Sequence, residues 1–221
     1  MKSRKATIAL AVGVSVLLVI AIVCAAIWGP YLYVQLNADN ISWGYAREVS
    51  AQEKEKRDAL VAQAQTWLGT QEGSEDHHMI VDIYNSHEPL AVGYEVKYSD
   101  NWCSTFVSAM AIRMGYTDII PTECGCQRHI ALLEEMGCWV EKDGYTPLPG
   151  DLIFYSSADD GIGDCTEWSD HIGIVVGTYK GFIRVIEGNY GDAVGYRIIR
   201  VNGKGIRGFG TPDYSKELIQ P

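Results

Sequence analysis

No charged residue occurs from Ala6 to Ala38, and Ile8 to Trp28 is almost purely Ala, Val, Ile and Leu, broken by Gly13, Ser15 and Cys24. A helix crosses a bilayer with roughly 20 such residues. A cleavable signal has a shorter apolar core followed by a small-residue cleavage site. Here Trp28, Pro30, Tyr31 and Tyr33 follow, and aromatic rings suit the membrane–water boundary. Val23 is bulkier than the small residue expected before a lipidated cysteine at Cys24. The segment reads as an uncleaved single-pass anchor, with signal cleavage as the alternative. Lys2, Arg4 and Lys5 precede it and place that end in the cytoplasm, leaving the rest of the chain outside the cell.

Beyond the anchor the pattern changes period twice. Residues 37–58 are polar and read as a stalk or linker helix. From Ser50 the chain, through Glu53, Lys56, Ala59, Leu60, Ala64, Trp67 and Leu68, becomes amphipathic at helical spacing and reads as a helix packed on the domain it precedes. Gly69 stops it. A short helix is expected over His78–Ser86. A stronger one spans Cys103–Met114, where Phe106, Val107, Met110, Ala111 and Met114 share a face, and another covers Gln127–Met136. Strands are expected at Leu152–Tyr155, Ile172–Val176, Phe182–Glu187, Val194–Val201 and Ile206–Phe209, the second and third forming a hairpin. Helices first and a mostly antiparallel sheet later make an α+β domain.

Composition narrows the class. With 47% hydrophobic and 10% aromatic residues among 221, the chain can build a core, which excludes disorder as the dominant state. After Pro30 there are 15 basic and 28 acidic side chains, so the basic stripe that nucleic acid requires is missing. No repeat period is visible.

The chemistry-bearing residues are Cys103, His171, Glu187 and Asn189. Cys103 stands where a loop enters a helix, with Asp100 or Asn101 as the expected cap. Helix N–H groups and the dipole favour a thiolate there and can stabilise an oxyanion. His171 opens an apolar strand and needs polar partners, while Glu187 and Asn189, two apart, project from one face of the next strand. A three-residue loop at Tyr179–Gly181 would pair Thr178 with Phe182 and set His171 opposite Asn189, with Glu187 diagonal to it. A two-residue loop would flip the histidine to the other face.

Four ordered motifs, Asn101–Val107 (NWCSTFV), Pro149–Tyr155 (PGDLIFY), Asp170–Val175 (DHIGIV) and Ile186–Asn189 (IEGN), resemble those of the CHAP family, cysteine, histidine-dependent amidohydrolases/peptidases with a papain-like fold that cut peptidoglycan. Ile206–Gly210 is similar to that family's last strand, and the likeness spans about Ala59 to Pro212. The resemblance implies Cys103 as nucleophile and His171 as general base and acid. It implies Glu187 as the group orienting His171, and Asn189 as a second orienting or oxyanion group. A related papain-like wall peptidase family shares Gly-Asp before a strand but usually places another polar residue after the histidine. Trp102, Trp168 and Tyr190 approach these residues from separate segments and are expected to wall the substrate groove, with capping of the core near the sheet edge as the alternative.

The implied organisation is an anchor at 1–36, a stalk at 37–58, a catalytic domain at 59–213 and a tail at 214–221. The implied activity is amide cleavage in peptidoglycan through a thioester, at N-acetylmuramoyl-L-alanine or a peptide bond, by an enzyme facing the wall of a bacterium without an outer membrane. The alternative is a non-catalytic module that binds wall peptides or a partner, which would need no nucleophile. No cofactor or metal is expected. Tyr98–Trp102 lacks the carboxylates of a calcium loop, Asp159–Asp164 reads as a solvated turn, and His77, His78, Asp82 and His87 read as a helix surface. Cys124, Cys126, Cys138 and Cys165 are compatible with two disulfides, Cys124–Cys138 with Cys126–Cys165 or Cys124–Cys165 with Cys126–Cys138. Free thiols are the remaining possibility.

Overall fold

The computed structural model describes residues 2–217, with side chains from Leu17 onward. Two units are present, Met1–Ser42 and Trp43–Pro221. The first is dominated by helix α1 (Lys2–Leu36), which contains Pro30. Its Leu17–Leu36 stretch has a mean hydropathy of 2.2 and is long and apolar enough for a membrane span, a test that a signal sequence also passes.

The second unit begins ahead of the Ala59 boundary. Gly44 pairs with Thr178 across an isolated antiparallel bridge, its N–H donating to the Thr178 carbonyl at 3.1 Å. Helix α2 (Ala51–Gln65) starts at Ser50, whose hydroxyl accepts from the Glu53 N–H at 3.1 Å, as an N-cap does. Arg57 on this helix is buried and bonds Asp151 at 2.8 Å. Residues 43–58 are therefore part of the folded unit and not a stalk: a buried guanidinium with a buried counter-charge holds them down. At the other end Tyr214 is also buried, its hydroxyl donating to the Gly150 carbonyl at 2.7 Å, so the tail starts inside the core.

Helices α3 (Glu75–Asn85), α4 (Cys103–Met114) and α5 (Cys126–Glu135) follow. Strands β1 (Trp139–Val140), β2 (Leu152–Tyr155), β3 (His171–Tyr179), β4 (Phe182–Glu187), β5 (Gly195–Arg200) and β6 (Ile206–Gly210) form one antiparallel sheet in the order β1-β6-β2-β3-β4-β5. The domain is α+β. Leu60, Ile80, Phe106, Met110, Ile130, Ile172, Ile174 and Ile186 make the larger core. The alternate positions Ile153, Val175, Ile183 and Val185 belong to a second cluster with Phe209, the period-2 alternation expected of a sheet covered on both faces.

The β3–β4 turn has two residues, because Tyr179 pairs with Phe182. By itself that register would turn His171 away from Glu187. A bulge between Val175 and Gly177 inserts one residue and restores it, so Val175 faces Val185 and Ile174 faces Ile186. The histidine thus ends on the same face as Glu187 through a bulge instead of through the expected three-residue loop.

Candidate active site

Helix α4 places Cys103 at its first residue, and the preceding Trp102 makes no side-chain cap to the first turn. The expected caps are engaged elsewhere. Asp100 accepts from the Lys97 N–H and the Tyr94 hydroxyl, and Asn101 Oδ1 accepts from Asn189. The uncapped first turn leaves N–H groups at the helix start, and that of Ser104 favours the thiolate of Cys103.

His171 Nε2 donates to Glu187 Oε2 at 2.9 Å, which leaves Nδ1 for the sulfur of Cys103. Glu187 is fully buried and is also gripped by Arg197 Nε, at 2.8 Å to Oε1 and 3.0 Å to Oε2. Arg197 lies on β5 two residues beyond Gly195, the partner of Glu187, and so reaches it diagonally on one face. The Tyr155 ring stands 5.8 Å from the His171 ring and under the Arg197 guanidinium at 4.6 Å.

Two glycines make this possible by the absence of a side chain. A Cβ on Gly173 would meet Glu187 Cγ at 2.6 Å and Val185 at 2.5 Å, so the glycine vacates the space the carboxylate crosses. A Cβ on Gly188 would meet Phe106 Cβ at 2.4 Å, so this glycine lets the end of β4 lie against the helix that carries Cys103.

The charges fall into a pair. Cys103 is lowered to about 5, first by a hydrogen bond from the Cys126 thiol and, against the cost of burial, by His171 and the Ser104 N–H. His171 is raised to about 9: burial opposes its charge, but Cys103 and Glu187 outweigh it. Cys126 is pushed well above its ordinary value, first by the neighbouring Cys103 and then by burial, so it keeps its proton. Between about 5 and about 9 the site is a thiolate–imidazolium pair backed by a carboxylate.

An open cavity of about 230 Å³ exposes Cys103 between Asn101, Cys126, Arg128 and Trp168. It adjoins a hollow of about 480 Å³ that shares Asn101, Cys124, Gly125 and Arg128 and reaches Val92 and Tyr94. Trp168, 72% exposed, stands on its wall. Trp102 does not: it is fully buried, donates from Nε1 to Glu72 at 3.2 Å and packs on His77 and Phe106. Tyr190 is 40% exposed and lies against Arg197, outside the residues lining either hollow. Asn189 is brought near as well, but its amide turns to Asn101 at 3.2 Å and makes no bond to His171, because its left-handed backbone (φ 54°) leaves the strand direction.

Sequence reasoning missed Arg197 and Cys126. Arg197 carried a signal, since a buried carboxylate needs a cation and the next strand holds one at the matching offset. The cysteines carried a misleading one. All are free thiols, and Cys126, expected opposite Cys138 or Cys165, instead stands with its sulfur 3.5 Å from that of Cys103. Cys124 holds the Arg128 guanidinium at 3.4 Å, and Cys138 lies 3.5 Å from the Met136 carbonyl.

The neighbouring histidines serve packing. His129 is wholly buried and pushed down to about 4 by that burial, its Nδ1 meeting the Ser104 hydroxyl at 3.1 Å. His77 is buried against Trp102 and accepts the Gly73 N–H. Among the described residues no group of three or more His, Cys, Asp or Glu side chains is arranged to hold a metal ion. Asp159 spends its carboxylate on the Gly161 and Gly205 N–H groups.

Compared with protein families, curated proteins and solved structures, the chain gives no match.

Proposed function

We propose that this chain is a membrane-tethered cysteine hydrolase of the CHAP type that cuts an amide bond of peptidoglycan. The observation carrying the proposal is Cys103 on the wall of an open groove, with the His171 ring held at Nε2 by buried Glu187. The lowered Cys103 and raised His171 favour a thiolate beside an imidazolium. The four sequence motifs converge with it, since two of their glycines have a steric reason to be there.

In this reading Cys103 attacks the carbonyl carbon and the Ser104 N–H with the α4 dipole steadies the oxyanion. His171 gives a proton to the leaving amine, and the C–N bond breaks to leave a thioester. A water then loses its proton to His171, attacks the thioester and frees Cys103. Glu187 keeps the ring aimed and favours its charged form, while Arg197 holds the carboxylate. Asn101 lines the groove beside Cys103 and accepts a hydrogen bond from the Asn189 amide. Helix α1 would tether the domain outside the membrane, and tethering raises the local concentration that an acidic protein lacks at an anionic wall.

Purified full-length protein incubated with cross-linked peptidoglycan should generate one class of new terminus, read by mass spectrometry. A new free L-alanine amine marks an amidase, and a terminus within the stem or bridge marks an endopeptidase. Wall material returned uncut by protein whose Cys103 still alkylates would refute the hydrolase and leave a binding module.

A further inference from the structure

We propose that Cys103 and Cys126 are an oxidative modification site, closing to a disulfide when the protein meets a peroxide. That the disulfide would switch off hydrolysis rests on the function proposed above; its formation needs only the two thiols.

The pair is built by two helices. Cys103 is the first residue of α4 and Cys126 the first residue of α5, and their sulfurs are 3.5 Å apart. A disulfide is about 2.05 Å long, so the sulfurs must close by about 1.5 Å. Both residues line the same open cavity, which admits a small oxidant although each is largely buried. Cys126 makes no other side-chain hydrogen bond among the described residues, whereas Cys124 holds Arg128 and Cys138 lies against the Met136 carbonyl. In the hydrolytic steps above Cys126 supports the Cys103 thiolate by its hydrogen bond but forms no covalent bond, and the same approach of the two sulfurs places it as a resolving thiol.

The chemistry balances with a hydroperoxide as oxidant. The Cys103 thiolate attacks one peroxide oxygen, the O–O bond breaks, and hydroxide or alkoxide leaves with the electron pair, giving a sulfenic acid on Cys103. The Cys126 sulfur then attacks the Cys103 sulfur. The S–O bond breaks, the S–S bond forms, and the Cys126 proton leaves with the hydroxyl as water. Sulfur has given two electrons and the peroxide has taken them. A thiol reductant reverses the bond by exchange. Without Cys126 the sulfenic acid would stay open to a second peroxide and pass irreversibly to the sulfinic acid.

The test treats full-length protein with hydrogen peroxide, blocks remaining thiols and maps the cysteine peptides by mass spectrometry. The expected result is a linked Cys103–Cys126 peptide pair, loss of Cys103 alkylation, and recovery of both on adding dithiothreitol. Cys126→Ser should instead accumulate sulfinic acid on Cys103 that dithiothreitol cannot reverse, while Cys124→Ser should still form the link. Sulfinic acid on Cys103 in the wild type with no linked pair would overturn the proposal, as would a link from Cys103 to another cysteine. The wild-type map decides even if Cys126→Ser does not fold. It is independent of hydrolysis, so an inactive protein that forms the link would refute only the function proposed above.

Discussion

Replacing Glu187 with Gln keeps the side chain's size and removes one charge from a site the solvent does not reach. In the wild type His171 is raised from 6.5 to about 9, with Cys103 and Glu187 together overcoming the penalty of burial. That gap corresponds to roughly 3 kcal/mol in favour of the imidazolium. A glutamine can still accept one hydrogen bond, but Arg197 competes for the same oxygen and the charge attraction is gone. The alkaline limb should therefore fall by about 1–2 pH units, leaving the imidazolium up to about tenfold less populated at pH 8. The signs follow from the directions. Cys103 is lowered, so the thiolate forms as pH rises through about 5, and His171 is raised, so the acid is lost as pH rises through about 9. The wild-type plateau in kcat/KM lies between them, and Glu187→Gln narrows it from the alkaline side only, since at pH 5 the ring is protonated in both. NMR titration of the His171 Cε1–H reads the ring directly, and turnover of a soluble muropeptide gives the profile. KM should hold, because Glu187 does not line the groove. A folded Glu187→Gln protein whose His171 still titrates near 9 would refute the electrostatic role of the carboxylate.

Three further outcomes are expected. Gly188→Ala forces a methyl against Phe106 Cβ at 2.4 Å, which should cost about 1–3 kcal/mol in denaturant melts and lower turnover by moving α4 relative to β4. Arg57→Met leaves the buried Asp151 carboxylate without its cation, held only by Tyr145 and the Leu148 N–H; stability should fall by roughly 3 kcal/mol, or ~10 °C in Tm, while kcat per folded molecule holds. Trp168→Ala removes an exposed wall of the groove and should weaken kcat/KM by roughly three- to tenfold with no change in Tm; a Tm loss matching the activity loss would assign the ring to packing.

Periodic elements were readable from the chain. The apolar face from Phe106 to Met114 gave α4 with both ends, and short β-branched runs gave β2 and β4 with theirs. Strand β1 was not foreseen, because two residues carry no period and Trp139 and Val140 are strand only through pairing with β6. The His171 register depends on a bulge at Val176, a tertiary adjustment with no signature in residue type. Trp102 looked like a groove wall through its place beside Cys103. A helix start turns successive side chains to different sides, however, and its ring went inward to His77 and Phe106. Cysteine counting left Cys126 either free or paired with Cys138 or Cys165 and did not foresee its place beside Cys103, since proximity between two helix starts is set by packing and not by spacing.

The most direct test of the account compares Cys103→Ala with the wild type on purified peptidoglycan, following release of new amino termini. The substitution removes the sulfur from a buried helix start and leaves Glu187, His171 and Arg197 joined, so the protein should fold, bind wall material and release nothing above background. Retention of most of the wild-type rate by folded Cys103→Ala would contradict a cysteine mechanism.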